Sequence, residues 1–287
     1  MVNNKYVYPC LGKGDMGVLK LQGPGLANMM FVAARAYQWQ HDYGIPMIAP
    51  TWAKLSIGPF LRREKDKRLY FGLLNSYGVT GLKKLWLMNH VTHDEQQKDD
   101  FLCCYKGVMR ISGLGNYFQD LDQKVACEYF EKIIPREVLE RVGDLPEAVA
   151  VHVRLGDYSA NVRTPLDWFV QIVQNISRVN DRLRFLVFSD GSDDELTPLL
   201  QLPRTSRAFY GSSLADMVAI SRCRLVIASD STFSAWGGYL TARPVLFRHR
   251  HFPPLYKSSD NNIEYVLGDV CELPTKVVDI LNGNADC

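Results

Sequence analysis

The sequence lacks any long hydrophobic run. No stretch of about 18 apolar residues, the length that spans a bilayer, occurs in its 287 residues. The opening segment MVNNKYVYPC also lacks the apolar core of a secretory signal peptide. From these two absences we expect a cytoplasmic protein with no membrane-spanning segment.

The cysteines lack the spacing of a zinc site and of a disulfide framework. There are seven of them, an odd number, and none are spaced as Cys-x-x-Cys. Two of them, Cys103 and Cys104, are adjacent in the chain. We expect reduced, partly buried thiols, as in a protein of a reducing compartment.

The chain also has no strong excess of either charge. It contains 33 lysines and arginines against 31 aspartates and glutamates, which gives a formal net charge of +2. Nucleic acids and anionic membrane surfaces attract strongly basic proteins, so neither is an expected partner. A content of 47% hydrophobic and 22% charged residues is ordinary for a folded globular protein.

Strand-like and helix-like segments alternate through the second half of the chain. Buried-strand patterns occupy residues 148–153, 184–190, 224–229 and 245–248, with helical patterns between them. Thr164 and Pro165 open the first of these helices, and Ser192 with Glu195 forms a capping box for the second. The alternation predicts a parallel sheet with helices on both faces, which binds ligands at the carboxyl ends of its strands.

The first half begins in the same way. A strand pattern at 18–22 leads into a glycine loop at 23–28, then into a helix that Gly44 can end, and a second strand pattern follows at 45–50. Backbone N–H groups at such a loop and the helix dipole attract anions. We expect two α/β lobes, residues 1–143 and 144–287, although the pattern of strands and helices is unclear from about Thr51 to Asp144.

The end of the first strand of the second lobe carries two polar side chains on one face. Because side chains alternate along a strand, His152 and Arg154 point away from Val151 and Val153. A buried arginine requires an anion, which is either a bound phosphate or a nearby carboxylate. The sequence leaves both alternatives open and favours the phosphate because of the strand-end position.

Two short motifs resemble cofactor sites, and both have a simpler interpretation. GKGDMG at 12–17 matches the dinucleotide pattern, but a strand rather than a helix follows it. DGSDDE at 190–195 resembles an Asp-x-Asp metal site, but the same residues cap a helix. We therefore expect no cofactor and no metal.

Four segments together resemble the α-1,2-fucosyltransferases, glycosyltransferase family 11. Three of them, in the family's order, are HVRLGDY at 152–158, LVFSDGSDDE at 186–195 and SLADMVAISRCRLVIASDSTFSAWGGYL at 213–240. The fourth is GPGLANMMFVAARA at 23–36, which is similar to the family's N-terminal glycine segment. The chain departs from the usual pattern at Ala27, Met29 and Ala235.

The resemblance implies a metal-independent, GT-B type fold of two Rossmann-like lobes. It implies inverting transfer of L-fucose from GDP-fucose to a sugar hydroxyl, with α-1,2 linkage to a galactoside. The first lobe would then be the acceptor side and the second the donor side. The partners would be GDP-fucose and an oligosaccharide or glycan acceptor. Two alternatives stay open, a transferase for another GDP- or UDP-sugar and a non-catalytic protein that binds sugar nucleotides or glycans.

The candidate site residues follow from strand-end position and from the resemblance. Arg154 would bind the pyrophosphate, and Asp157 would be the base for the acceptor hydroxyl. The candidate donor-binding residues are Asn28, His152, Ser189, Asp216, Ser231, Thr232 and Phe233. Several have a structural alternative: His152 as a core residue, Asp216 as the partner of Ser213 in a capping box, and Ser231 as a helix cap. Asp157 has one as well, because Asp is also common in turns.

Overall fold

The computed structural model describes residues 5–55, 69–90, 92–156, 163–257 and 263–283. The chain divides into two compact units, Met1–Arg136 and Glu137–Cys287. The division falls at the start of a short helix, whereas the sequence places the boundary at 143/144. In the described part of the chain, no helix has the length and apolarity needed to cross a bilayer.

The second unit is built on a six-stranded parallel sheet. The strands are β6 (Leu145–Val153), β7 (Arg184–Ser189), β8 (Thr205–Arg207), β9 (Cys223–Ala228), β10 (Val245–Phe247) and β11 (Glu264–Val266). Their spatial order is β11-β10-β9-β6-β7-β8. The predicted parallel arrangement of four of these strands is therefore confirmed.

Helices connect these strands and cover the sheet. They are α5 (Arg136–Val142), α6 (Leu166–Val179), α7 (Asp193–Leu200), α8 (Ser213–Arg222), α9 (Thr232–Tyr239) and α10 (Thr275–Leu281). The two faces of β6 divide as the alternation predicts. Val149, Val151 and Val153 are fully buried in a core that includes α6 and α10, while His152 contacts α9 on the other face.

Two glycines let α9 pack closely against its neighbours. A Cβ at Gly237 would meet Cγ2 of Ile220 at 2.3 Å, and one at Gly238 would meet Cγ2 of Val245 at 2.3 Å. Real Cβ atoms do not approach other atoms so closely, so both positions need glycine. The C-terminal part of α9 is therefore packed closely against Ile220 of α8 and Val245 of β10.

The first unit has a smaller parallel sheet and a separate antiparallel pair of strands. The strands are β1 (Lys5–Pro9), β2 (Lys13–Asp15), β3 (Lys20–Gln22), β4 (Thr92–Asp94) and β5 (Gly107–Ile111). The parallel sheet has the order β1-β5-β4, and β2 pairs with β3. The helices are α1 (Leu26–Tyr43), α2 (Gly81–Met88), α3 (Lys98–Cys103) and α4 (Gln123–Ile133). Gly44 ends α1 in the left-handed conformation, with φ of 64°, as its sequence position predicts.

The start of this unit differs from the expectation in two ways. The strand predicted at 18–22 is only β3, which pairs with β2 in a hairpin instead of joining the parallel sheet. The GKGDMG segment forms the other strand of that hairpin, so it cannot cradle a dinucleotide. Helix α1 begins at Leu26, inside the predicted loop, because Gly25 already serves as its N-cap.

One predicted helix cap, Thr164, and one that the sequence left as an alternative, Ser213, each differ by one residue from the cap in the structure. Pro165, not Thr164, is the N-cap of α6, and the Thr164 side chain makes no cap hydrogen bond. Ser212, not Ser213, caps α8 and accepts from the N–H of Ala215. Runs of adjacent polar residues leave the exact start of a helix undetermined until its packing is known.

Candidate functional site

The carboxyl ends of β6, β7, β9 and β10 lie side by side at one edge of the six-stranded sheet. Val153 pairs with Ser189, His152 pairs with Ala228, and Ala228 pairs with Phe247. The residues that follow these positions therefore come together. They include Arg154, Asp190 and Ser229, which lie far apart in the sequence.

Arg154 forms an ion pair with Asp190 at this edge. Its Nη1 lies 2.6 Å from Asp190 Oδ2, and the two side chains are only 20% and 15% exposed. The second oxygen of Asp190 accepts from the backbone N–H of Leu155 at 2.8 Å. Of the two anions that the sequence left open for Arg154, the structure therefore contains the carboxylate. This ion pair holds the guanidinium in a fixed orientation.

Asp190 carries a negative charge in this setting. Burial acts to raise its pKa, but Arg154 and the backbone N–H groups of Leu155 and Gly156 outweigh burial, so the pKa is lowered. The sequence placed Asp190 at a strand end but did not select it as a site residue. The sequence signal that could have identified Asp190 is its position directly after a buried strand, next to the strand that Arg154 follows.

His152 is buried next to this pair. Its ring stacks on Phe233 with the centroids 5.2 Å apart and an angle of 30° between the planes. The pKa of His152 is lowered to about 4, because burial and, to a smaller extent, the positive charge of Arg154 outweigh the opposing effect of Asp190. The ring is therefore neutral near pH 7. Within the described ranges, its buried Nδ1 has no hydrogen-bond partner.

The turn from β9 into α9 supplies three hydroxyl groups. The Oγ of Ser229 accepts from the backbone N–H of Arg154 at 2.9 Å. Ser231 is the N-cap of α9 and accepts from the N–H of Phe233 at 3.3 Å, and Thr232 is the first residue of the helix. Ser231 therefore acts as a helix cap, the structural role that the sequence left open. The N-terminus of α9 lies beside His152.

Three further predicted residues have defined surroundings. The Oγ of Ser189 accepts from the N–H of Gly191 at 3.0 Å, inside the turn that carries Asp190. Asp216 Oδ1 accepts from the backbone N–H of Tyr210 at 2.7 Å, and the N-cap of α8 is Ser212, so Ser213 does not cap this helix in a capping box with Asp216. Asn28 lies in the first turn of α1, in the other unit. Asp157 lies outside the described residues.

The acidic segment 190–195 is used structurally. Ser192 and Glu195 form the predicted capping box of α7, and Asp193 pairs with Arg207 at 2.6 Å. Arg207 also donates to the carbonyls of Ser189 and Gly191, at 3.0 and 2.7 Å, which fixes the turn that carries Asp190. Across the described ranges, no group of three or more His, Cys, Asp or Glu side chains could hold a metal ion.

The first unit contains buried lysines that the sequence analysis did not select. Lys20 is fully buried and donates to the carbonyls of Thr51 and Trp52, each at 2.6 Å. Lys84 is 5% exposed and donates to Oγ1 of Thr51 at 2.9 Å. Burial lowers the pKa of both lysines to about 8, against the opposing effect of Asp15.

A third buried lysine shapes the glycine loop. Lys54 donates to the carbonyls of Gly23 and Pro24, at 3.1 and 2.9 Å. The N–H of Leu26, at the start of α1, donates to the hydroxyl of Tyr70 at 3.2 Å. No local sequence pattern connects Lys54 or Tyr70 to this loop, because both reach it only through the tertiary fold.

Comparison with known proteins gives one family match. Residues 125–246 match the sequence model of glycosyl transferase family 11. The matched residues include β6, β9, α9 and their strand-end residues. Comparison with curated protein sequences gives no match.

Three solved structures of fucosyltransferases are similar to the chain. Fucosyltransferase NodZ from Bradyrhizobium is 12% identical with a TM-score of 0.53, over 83% of this chain and 94% of that one. A variant of FUT1 from Arabidopsis thaliana in complex with GDP is 10% identical with a TM-score of 0.51, over 91% and 79%. POFUT1 in its apo form is 12% identical with a TM-score of 0.50, over 85% and 97%. The chain has the α/β fold with parallel sheets of these GT-B fucosyltransferase structures.

Proposed function

We propose that the chain transfers L-fucose from GDP-fucose to a sugar hydroxyl, with inversion and without a metal ion. The proposed product is an α-1,2 linkage to a galactoside. The observation that carries this proposal is the group formed by Arg154, His152 and the α9 N-terminus at the carboxyl edge of the large sheet. The match of residues 125–246 to a glycosyl transferase family model supports it, as do structural neighbours that are fucosyltransferases.

Arg154 has the central role in the proposed reaction. When the bond between fucose and the β-phosphate breaks, the electron pair and the negative charge move to the pyrophosphate. A planar guanidinium can contact two phosphate oxygens at once. Asp190 and the Ser229 hydroxyl hold Arg154 and its backbone in place before the donor binds.

The other donor-binding roles remain proposals built around this group. A neutral His152 hydrogen-bonds a phosphate or ribose oxygen, and Ser231 and Thr232 present the N–H groups of the α9 N-terminus to a phosphate. Asp216 accepts from the guanine N–H groups, and Phe233 packs against the base. Ser189 shapes the turn at the donor, and Asn28 acts from the first lobe. Residues 1–143 supply the acceptor side and residues 144–287 the donor side.

The test is a screen of sugar nucleotides. Purified protein is incubated with GDP-fucose, with other GDP-sugars and with UDP-sugars, each with and without a galactoside-ended acceptor. We expect release of GDP from GDP-fucose that depends on the acceptor and is unchanged by EDTA. Turnover of a UDP-sugar instead would contradict the donor assignment. Activity that EDTA abolishes and manganese restores would contradict metal independence.

A further inference from the structure

A carboxylate and a histidine are paired at the same sheet edge, outside the residues assigned above. Asp230 follows Ser229 in the turn between β9 and α9, and its side chain is 11% exposed. Its Oδ1 accepts from the backbone N–H of His251 at 2.9 Å and lies 2.7 Å from the Nδ1 of the same ring. Two contacts to one residue fix both the loop after β10 and the orientation of the imidazole.

The pair lies on the edge that carries Arg154. β10 is the neighbour of β9, and β9 is the neighbour of β6. Asp230 is adjacent in sequence to Ser229, whose hydroxyl accepts from the N–H of Arg154. Neighbouring strands are about 4.8 Å apart, so the ends of β6 and β10 are separated by about two such spacings.

The hydrogen bond to Asp230 determines the chemistry of the ring. A neutral imidazole that donates from Nδ1 to a carboxylate carries its lone pair on Nε2. The His251 side chain is 52% exposed, whereas the carboxylate that orients it is buried. An imidazole oriented in this way by a carboxylate is suited to accept a proton from a substrate hydroxyl.

The charged groups around the pair are themselves held by partners. His249 Nε2 lies 3.7 Å from the second oxygen of Asp230. Arg248 pairs with Asp269 at 2.5 Å. Arg250, the residue immediately before His251, pairs with Glu264 of β11 at 2.7 Å. Asp230 is therefore the carboxylate that contacts the His251 ring.

We propose that His251, held by Asp230, is the general base that removes the proton of the acceptor hydroxyl, in place of Asp157. This inference rests on the proposed fucosyl transfer. In the step, the acceptor oxygen forms a bond to the anomeric carbon of fucose while the bond from that carbon to the β-phosphate oxygen breaks. GDP leaves with the electron pair, and the acceptor proton moves to Nε2 of His251 and then to solvent.

The test is the kinetics of His251→Ala with added imidazole. A positioned general base contributes about 10²- to 10⁴-fold to a rate. We expect kcat to fall by about 100-fold or more, while the KM for GDP-fucose and the stabilisation by GDP stay near wild type. Imidazole in solution should restore turnover in a saturable way, since it replaces the base. A merely structural role would instead lower the melting temperature and leave no rescue.

Two comparisons make the result specific. His41→Ala removes an exposed histidine of α1, in the first unit, and should keep wild-type turnover without any response to imidazole. His251→Gln keeps a hydrogen-bonding side chain of similar size and should be folded and slow, which covers the case in which His251→Ala does not fold. Asp157→Asn should lower kcat far less than His251→Gln.

The outcomes separate this inference from the proposed function. A wild-type chain that releases GDP from GDP-fucose, together with a His251→Gln variant of undiminished kcat, overturns the role of His251 alone. The same holds if only Asp157→Asn is inactive. A wild-type chain that does not turn over GDP-fucose overturns the proposed function and this inference with it.

Discussion

At the scale of single residues, Arg154 has two roles to reconcile. The sequence posed them as alternatives, a phosphate ligand or a structural ion pair, and the structure contains the ion pair with Asp190. The two are compatible, because a guanidinium has five N–H donors and Asp190 contacts it at Nη1. A fixed arginine also loses less entropy when a phosphate binds.

Substitution of Arg154 measures which role dominates. Arg154→Lys keeps the charge and loses the planar fork, so we expect turnover to fall by about 100-fold, the effect of losing one preorganised transition-state donor. The melting temperature should change little, and GDP should still bind, more weakly. If the ion pair were the main role, Arg154→Ala would leave Asp190 unpaired and destabilise the fold by about 3 to 5 kcal/mol while the folded fraction stayed active.

A matched control lies at the other end of the sheet. Arg222 pairs with Asp144 at 3.1 Å, just before β6 begins. Arg222→Lys should leave both turnover and stability near wild type, because the pair is exposed and remote from the strand ends. Near-normal turnover of Arg154→Lys would refute the phosphate role.

At the scale of elements, Lys84 connects α2 to Thr51, which lies in the segment between α1 and α2. Its pKa is about 8 in the folded protein and 10.5 in the unfolded chain, because burial disfavours the charged form. Between these values the unfolded chain binds more protons than the folded one. The contribution of Lys84 to stability therefore rises as the pH rises through this window.

The prediction is a stability difference that depends on pH. Between pH 8 and pH 10 the unfolding free energy of the wild type should increase relative to Lys84→Met by about 2 kcal/mol. Denaturant unfolding at several pH values measures it. Lys83→Met, which replaces the exposed lysine immediately before Lys84, is the matched control for the substitution itself. A constant difference between the wild type and Lys84→Met over this pH range would mean that folding does not lower the pKa of Lys84.

At the scale of the whole molecule, ligand binding should appear as stability. A ligand that binds only the folded state at about 100 times its dissociation constant stabilises it by roughly 2.7 kcal/mol. We expect GDP to raise the melting temperature in the presence of EDTA, and UDP to raise it less, because guanine offers two adjacent N–H donors to the Asp216 carboxylate whereas uracil offers one.

Asp216→Asn tests that preference directly. The asparagine oxygen can still accept from the N–H of Tyr210, so the fold should persist. The amide cannot pair with two adjacent guanine donors, and the difference between GDP and UDP should disappear. An unchanged preference for GDP in this variant would remove Asp216 from the guanine site.

The sequence by itself determined the elements that depend on local pattern. The strand around Val151, the capping box of Ser192 and Glu195, and the stop of α1 at Gly44 all appear in the structure. Alternation, capping and backbone conformation act over a few residues, so they can be read without the fold. Local pattern was less accurate at the starts of helices. The cap of α8 is Ser212 and not the adjacent Ser213, and α1 starts early because Gly25 is its N-cap.

Only the tertiary structure decided which distant residues meet. The pairing of Arg154 with Asp190, of Asp230 with His251 and of Lys54 with the glycine loop depends on strand order and register. The same dependence explains why the predicted strand at 18–22 forms a hairpin and not part of the parallel sheet. Parallel strands hydrogen-bond to partners far along the chain, so local sequence sets which residues end a strand, and the sheet order sets what lies beside them.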